Sequence, residues 1–329
     1  DGRTTSLHAW GNLWRTPGLV FQRWRPKPEH LAGPFGWLVR RAAEKEASSG
    51  AHGMNAWQRH CQEAWLAETR PTVVAWPWEN HGWERAFCRA ARRLGVATVG
   101  YQHTVIGPHQ LNYSPATNRD GEASLPDTMV CDGPAYRDQL VDWGIPPARL
   151  GIGGSLRIKQ IDGDIFDAGG PCFVALSADR GISRQQIDAV EAAAADGFRF
   201  VVKEHPMYPL AFEETDLIRR TDGTIGEQSS LSAVFYSTGT SGLEALLAGL
   251  PTFRLLPEDV IAIDVLPASL SAVPVTAGGL ADALTSALKR PNAEWSDVLA
   301  PVDWDLWRQL LAGGDADAAA PSPEDPRQT

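Results

Sequence analysis

Cysteine is scarce. The 329 residues hold four, Cys61, Cys88, Cys131 and Cys172, scattered without a CxxC or any Cys/His metal spacing. This excludes a disulfide-framed small domain and a zinc module, and the four read as reduced cytoplasmic thiols that act as small buried hydrophobes. No apolar run approaches the roughly 20 residues that span a bilayer, and the start has neither the basic nor the apolar region of a signal peptide. A cytoplasmic protein is expected. Because the chain opens with Asp1 and not Met, part of the natural N-terminus is expected to be missing. Positive charge is also short: 30 Lys and Arg stand against 40 Asp and Glu, a net −10, which counts against nucleic acid as a partner because such binding rests on neutralising phosphates. Several catalytic signatures are absent. GIGGSL at Gly151 puts Leu156 where GxGxxG needs its third glycine, there is no GK[ST] loop and no HExxH, and GTSG at Gly239 is too short for GxSxG. No DxD pair stands at a strand end, so no metal site is expected.

What is there is the composition of a soluble globular protein, 43% apolar and 21% charged, in a chain long enough for two domains with separate cores. Residues 1–70 carry Trp10, Trp14, Trp24, Trp37, Trp57 and Trp65, and Trp57 to Thr69 has helical apolar spacing. A helical packing layer is the plain reading and an aromatic acceptor surface the sharper one. Short β-prone runs then alternate with helical patterns. The first set comprises strands at Thr72–Trp76, Val96–Tyr101, Asp127–Cys131 and Leu150–Ile152, with helices at Trp83–Leu94 and Tyr136–Trp143. The second comprises strands at Cys172–Leu176, Phe198–Val202, Ala233–Tyr236, Thr252–Leu255 and Ala272–Val275, with a helix at Arg184–Asp196. Such alternation builds parallel sheets with crossover helices, an α/β fold. Between the sets, Gly153 to Pro171 reads as a polar, flexible connector containing Asp162, Asp164 and Asp167. The expected organisation is an N-terminal Rossmann-like domain with a helical opening segment over 1–153, a linker over 154–171, a C-terminal domain over 172–312 and a disordered tail over 313–329. Basic residues cluster at Gln22–Lys27 with Arg40 and Arg41, and at Arg89, Arg92 and Arg93. Solvated surface is the preferred reading, and a patch that meets an anionic acceptor or a membrane surface the alternative.

Polar groups gather where strands end. Phe198–Val202 delivers Lys203, Glu204 and His205, and Pro206 forbids further ladder bonding. Ala233–Tyr236 delivers Ser237, Thr238, Gly239, Thr240, Ser241 and then a helix, with Ser241 and Glu244 at capping-box spacing. Ligands of open parallel sheets bind outside the carboxyl ends of the strands. Two consecutive strands would thus bring to one rim a Lys/His pair that can meet negative charge and a hydroxyl-lined helix start that suits a nucleotide phosphate. Taken alone, Ser241 is equally a structural cap. In the first set Glu79 (with His81), His103 and Asp132 stand at strand ends.

KEHP at Lys203–Pro206, followed by STGTSGLEALLAGLP at Ser237–Pro251, resembles the C-terminal half of GT-B glycosyltransferases that use CMP-activated acidic sugars, the bacterial sialyltransferases and Kdo transferases of capsule and lipopolysaccharide assembly. The CDP-glycerol-type polymerases of teichoic acid synthesis carry a similar pair. The resemblance implies two Rossmann-like parallel-sheet domains facing across a cleft, the N-terminal one on the acceptor side and the C-terminal one binding the nucleotide sugar. It implies that His205-Pro206 and Thr238, Thr240 and Ser241 hold the cytidylate phosphate, with Lys203, Ser237 and Gly239 beside them, and that Glu244 is a cap or a ribose ligand. The activity implied is transfer of Kdo, sialic acid or another nonulosonic acid from a CMP-sugar to a surface glycan or glycoconjugate. The CMP-sugar is a co-substrate, and no other cofactor is expected. For the base that an inverting reaction needs, Glu79 comes first, Asp132 next and His103 third; the plain reading of Glu79 is a charge favouring the dipole of the helix after it. Metal independence is expected, because Lys203, His205 and the helix start can do a metal's electrostatic work. Contact with the inner membrane or with other assembly enzymes belongs to the same picture. The alternatives are a CDP-polyol phosphotransferase and a non-catalytic nucleotide-sugar-binding subunit.

Overall fold

The structure, a computed structural model, describes residues 26–312 apart from 50, 119, 162, 291 and 292. Trp10, Trp14, Trp24, Asp162 and the expected tail over 313–329 lie outside the described residues. Contacts group the chain into two compact units, one formed by residues up to 100 with 119–128 and those from 308, the other by 101–118 and 129–307.

The first unit opens with α1 (Pro28–Leu31), α2 (Gly36–Ser49) and α3 (Ala51–Thr69), followed by β1 (Val73–Pro77), α4 (Gly82–Arg93) and the start of β2 (Ala97–Gln102). Its core joins Leu66 of α3 to Phe87, Ala90 and Ala91 of α4 and to Val96, with Val74 and Trp76 packed against them. The spacing of Phe87, Ala90 and Ala91 is that of one helix face, which is why α4 forms and why it lies on the sheet. Arg89, Arg92 and Arg93, read as solvated, are paired: Arg89 with Asp120, Arg92 with Asp127 and Arg93 with Glu63. Arg92 also donates to the carbonyls of Ala123 and Leu125, so the opposite face of α4 ties down the 120–127 segment.

The remaining elements are β3 (Thr128–Cys131), α5 (Pro134–Asp142), β4 (Leu150–Ile152), β5 (Cys172–Ala175), α6 (Arg180–Ala195), β6 (Phe200–Lys203), β7 (Ile218–Arg220), β8 (Ala233–Tyr236), α7 (Ser241–Leu247), β9 (Thr252–Leu255), β10 (Val273–Val275), α8 (Leu280–Thr285), α9 (Trp295–Val298) and α10 (Trp304–Leu311). Two parallel sheets result, a four-stranded one in the order β1-β2-β3-β4 and a six-stranded one in the order β10-β9-β8-β5-β6-β7. This is the α/β architecture that the alternation of runs predicts. Strand β8 shows why the six-stranded sheet is stable. Val234 enters one core with Phe173, Leu231 and Leu250, while Ala233 and Phe235 enter the other with Val174, Phe200 and Phe253, so both faces of an uncharged strand are buried.

The structure departs from the sequence reading at several points. Strand β7 was not expected: it has three residues, Ile218 buried and Arg219 and Arg220 exposed, and lies at the sheet edge. Strands β6 and β8 are therefore not consecutive, since β7 separates them in sequence and β5 in the sheet. Helix α6 begins at Arg180 and not Arg184, because the Asp179 carboxylate accepts from the amides of Gly181 and Ile182 and caps it there. The connector expected to be flexible is held. Ile158 is buried, Phe166 bridges to Leu231, and Asp164 pairs with Lys289. Gly154 has φ +81°, and a Cβ there would fall 2.1 Å from the Pro301 carbonyl oxygen, so this approach requires glycine.

Candidate functional site

In the six-stranded sheet β5 lies between β6 and β8, so the strand order turns back at β5, and in open parallel sheets the crevice outside such a point is where ligands bind. The loops after β5, β6 and β8 meet at this edge. Joining the first and last, the hydroxyls of Ser177 and Thr238 are hydrogen-bonded at 3.0 Å.

After β6 the chain borders a cavity of about 490 Å³ lined by Lys203, Glu204, His205, Pro206, Arg220, Thr221 and Asp222 among others. His205 is half-buried, its ring tilted over Tyr208 at 5.4 Å between centroids, and its Nδ1 accepts the Met207 amide at 3.3 Å. With Nδ1 occupied as an acceptor, the neutral ring carries its proton on Nε2, which makes Nε2 a donor. Glu204 has a different task. It pairs with Arg220, and its Oε1 accepts the Leu210 amide at 3.2 Å. Arg220 also pairs with Glu214 at 3.4 Å and stacks 3.8 Å from the centre of the Phe212 ring, so its charge is taken up within the protein.

The loop after β8 divides in two. Ser237 is buried and committed, its hydroxyl donating to the Leu255 carbonyl at 3.3 Å and its own carbonyl accepting from Arg254 Nε at 3.1 Å. It is a brace to β9, and neither it nor Thr238, Gly239, Thr240 or Ser241 is among the residues that line the cavity after β6. Gly239 is exposed at φ +120° with open space where a Cβ would stand, and Thr240 and Ser241 are half-buried. The expected capping box does not form. Thr240, not Ser241, precedes the helix and makes no side-chain cap bond, which leaves Glu244 one residue too far along. At seven residues α7 is also a short helix with a correspondingly weak dipole. Glu244 is instead half-buried. Burial raises its carboxyl, while Lys203, Arg157 and the Thr240 hydroxyl pull the other way. It lines a second cavity of about 360 Å³, together with Lys159, Gln160, Ile161, Leu247 and Trp295.

The residues expected to supply a base fall into three environments. Asp132 directly follows β3 and is fully buried: Tyr101 Oη donates to its Oδ1, its amide donates to Gln102 Oε1 at 3.0 Å, and its carbonyl accepts the Ala300 amide at 2.9 Å. Its Oδ2 has no partner, and burial pushes the carboxyl up to about 7 against the lowering effects of Tyr101 and Arg157. The Leu156 amide donates to the same Tyr101 hydroxyl at 2.8 Å, so Asp132 anchors the start of the connector. Enclosed in this way, it suits a structural role better than contact with an acceptor. His103 is half-buried, and its carbonyl accepts from Arg157 at 3.4 Å.

In the first unit, Glu79 is half-exposed and its carboxylate meets His81 Nε2 at 2.7 Å. The helix-start role considered for Glu79 belongs to Glu84. This carboxylate, buried to 1% exposure, accepts from Trp76 Nε1 at 3.0 Å, the Glu79 amide at 3.1 Å and the His81 amide, closing a capping box with His81. The spacing of His81 and Glu84 is the signal that could have revealed it. Among the described residues, no group of three or more His, Cys, Asp or Glu side chains is placed to hold a metal ion.

No protein-family model matches the sequence, and no curated protein matches it. Solved structures are similar at low identity. The UDP-N-acetylglucosamine 2-epimerase from Rickettsia bellii is 15% identical over 63% of this chain and 62% of that chain, with a TM-score of 0.44. The glycosyltransferase of kitacinnamycin is 16% identical over 88% and 81%, with a TM-score of 0.47. CalG4, the calicheamicin glycosyltransferase, is 13% identical over 87% and 79%, with a TM-score of 0.49. The chain spans less than two thirds of the epimerases from Rickettsia bellii and Neisseria meningitidis, 62% and 64%.

Proposed function

We propose that this chain is a GT-B glycosyltransferase whose donor is a CMP-activated acidic sugar and whose acceptor is a surface glycan or glycoconjugate. The observation that carries this reading is the cavity after β6, where Lys203 and His205 stand together at the carboxyl edge of a parallel sheet. Breaking the bond from sugar to phosphate leaves negative charge on the cytidylate. Lys203 and the Nε2–H of His205 stabilise it there, and Thr238, Thr240 and Ser241 add hydroxyls from the loop after β8. Glu244 takes ribose hydroxyls, and Trp295, beside it in the second cavity, offers an aromatic face to the base. Glu79, with His81 on its carboxylate, accepts the proton of the acceptor hydroxyl. The KEHP and STGTSG segments support the cytidylate assignment by their resemblance to CMP-sugar enzymes. Phosphotransfer from a CDP-polyol would use cations beside the His. Arg220 shares that cavity, but Glu204 and Glu214 hold its charge.

The test is thermal denaturation with CMP, CDP, UDP and GDP, because a ligand that binds only the folded state raises Tm. CMP is expected to give the largest shift, and His205→Ala to remove most of it. Equal shifts from all four nucleotides remove the CMP assignment, and a larger shift from UDP moves the donor to a UDP-sugar. Slow release of CMP from a CMP-sugar without acceptor separates an enzyme from a binding subunit.

A further inference from the structure

We propose that the start of α2 docks on an anionic phospholipid bilayer, with Phe35, Trp37 and Leu38 entering the interface and Arg40 and Arg41 meeting lipid phosphates. Phe35 is 68% exposed, Trp37 63% and Leu38 45%. Soluble surfaces scatter such side chains singly, whereas here three fall within four positions at one helix end. Arg40 and Arg41 follow, both exposed. Trp37 and Arg41 are four residues apart and Leu38 and Arg41 three, so they share a face; Val39 and Ala43 are half-buried and turn the other side toward the protein.

Charge selects the partner. Arg40 and Arg41 carry the local positive charge, in a chain whose net charge is −10; Lys27 is paired with Glu29 at 3.5 Å, and Lys45 stands between Glu44 and Glu46 in the sequence. Adjacent arginines on an acidic protein favour a surface of fixed negative charge, because Lys and Arg beside an anionic leaflet are drawn to it. Aromatic side chains at the edge of a basic helix are the composition of interfacial helices. The presentation is also fixed by the backbone. The Gly36 amide donates to the Gly33 carbonyl at 2.9 Å, and a Cβ on Gly36 would fall 2.0 Å from the Leu31 carbonyl oxygen, so the turn that displays Phe35 and Trp37 closes on α1 only with glycine there. The inference depends on neither the donor nor catalysis.

Flotation of the full chain with vesicles tests it, using phosphatidylcholine alone and phosphatidylcholine mixed equally with phosphatidylglycerol. The chain is expected to float with the mixed vesicles, to stay behind with phosphatidylcholine alone, and to be released by high salt. Phe35→Glu/Trp37→Glu and Arg40→Glu/Arg41→Glu should each lower the bound fraction about tenfold. All four positions are exposed, and circular dichroism checks that both variants keep the fold. No flotation of the unaltered chain, or flotation of either variant at its level, overturns the proposal. So does a dimer, seen by light scattering, that Phe35→Glu/Trp37→Glu dissociates, since the patch is then a contact between copies.

Discussion

Burial holds the Asp132 carboxyl near 7, against about 3.9 for an unfolded Asp. The folded chain therefore binds this proton more tightly than the unfolded chain, and ionisation works against folding. The cost is absent well below pH 4, grows as pH rises toward 7, and levels off above it. Asp132→Asn keeps an acceptor for Tyr101 and removes the ionisation. Its stability relative to the unaltered protein should improve by about 2 to 3 kcal/mol between pH 5 and pH 8. Urea denaturation at the two pH values measures this, and a constant difference would show that Asp132 does not titrate with folding. At the proposed active site, Glu79→Gln should lower kcat sharply with donor affinity little changed, because a base acts in the transition state, whereas His205→Ala should weaken both. Steady-state kinetics with a nucleotide-binding assay separates the two patterns, and loss of donor binding in Glu79→Gln would withdraw its role as base. The placement of His205 just beyond β6 was legible in the sequence because a buried strand stopped by a proline can only release its next side chains at a sheet edge. The commitment of Ser237 and the enclosure of Asp132 were not, since both depend on Leu255, Arg254, Tyr101 and Ala300, which are distant in sequence.

At the scale of elements, α4 is set by one buried carboxylate. Glu84 receives three N–H donors from β1 and the loop after it, and burial raises its carboxyl while those donors lower it. Glu84→Ala leaves the donors without an acceptor and should cost about 2 to 4 kcal/mol. Glu84→Gln, which keeps an acceptor, should cost less. Equal loss in the two variants, measured by urea denaturation, would mean that packing and not the hydrogen bonds holds this helix start. The helices and central strands could be read from the sequence because each carries its own period and has uncharged residues facing a core. Strand β7 could not, since a three-residue edge strand with two exposed arginines takes its conformation from pairing with β6 and not from a pattern of its own. The start of α7 was misplaced for a related reason. Serine and threonine both suit a cap, so the sequence does not choose between Thr240 and Ser241, and the backbone after Gly239 does.

For the whole molecule, the proposed chemistry places its positive groups on side chains, Lys203 and His205, and transfer is expected to continue in EDTA. Loss of activity in EDTA that magnesium or manganese restores would count against this. The two-sheet α/β architecture followed from the alternation of runs between Thr72 and Val275, whereas the pairing that holds the connector in place, Phe166 with Leu231 and Asp164 with Lys289, joins residues too far apart for any window of sequence to relate them. The four thiols each stand on a different element: Cys61 on α3, Cys88 on α4, Cys131 on β3 and Cys172 on β5. Cys61 is half-buried and the other three are buried; burial raises all four thiols, Cys88 to about 12. Since a reagent must also reach the sulfur, a maleimide dye applied to the native protein has one address, Cys61, in the same helical layer as α2. The three sheltered thiols then become clocks, each taking up label only as often as its own helix or strand opens to solvent.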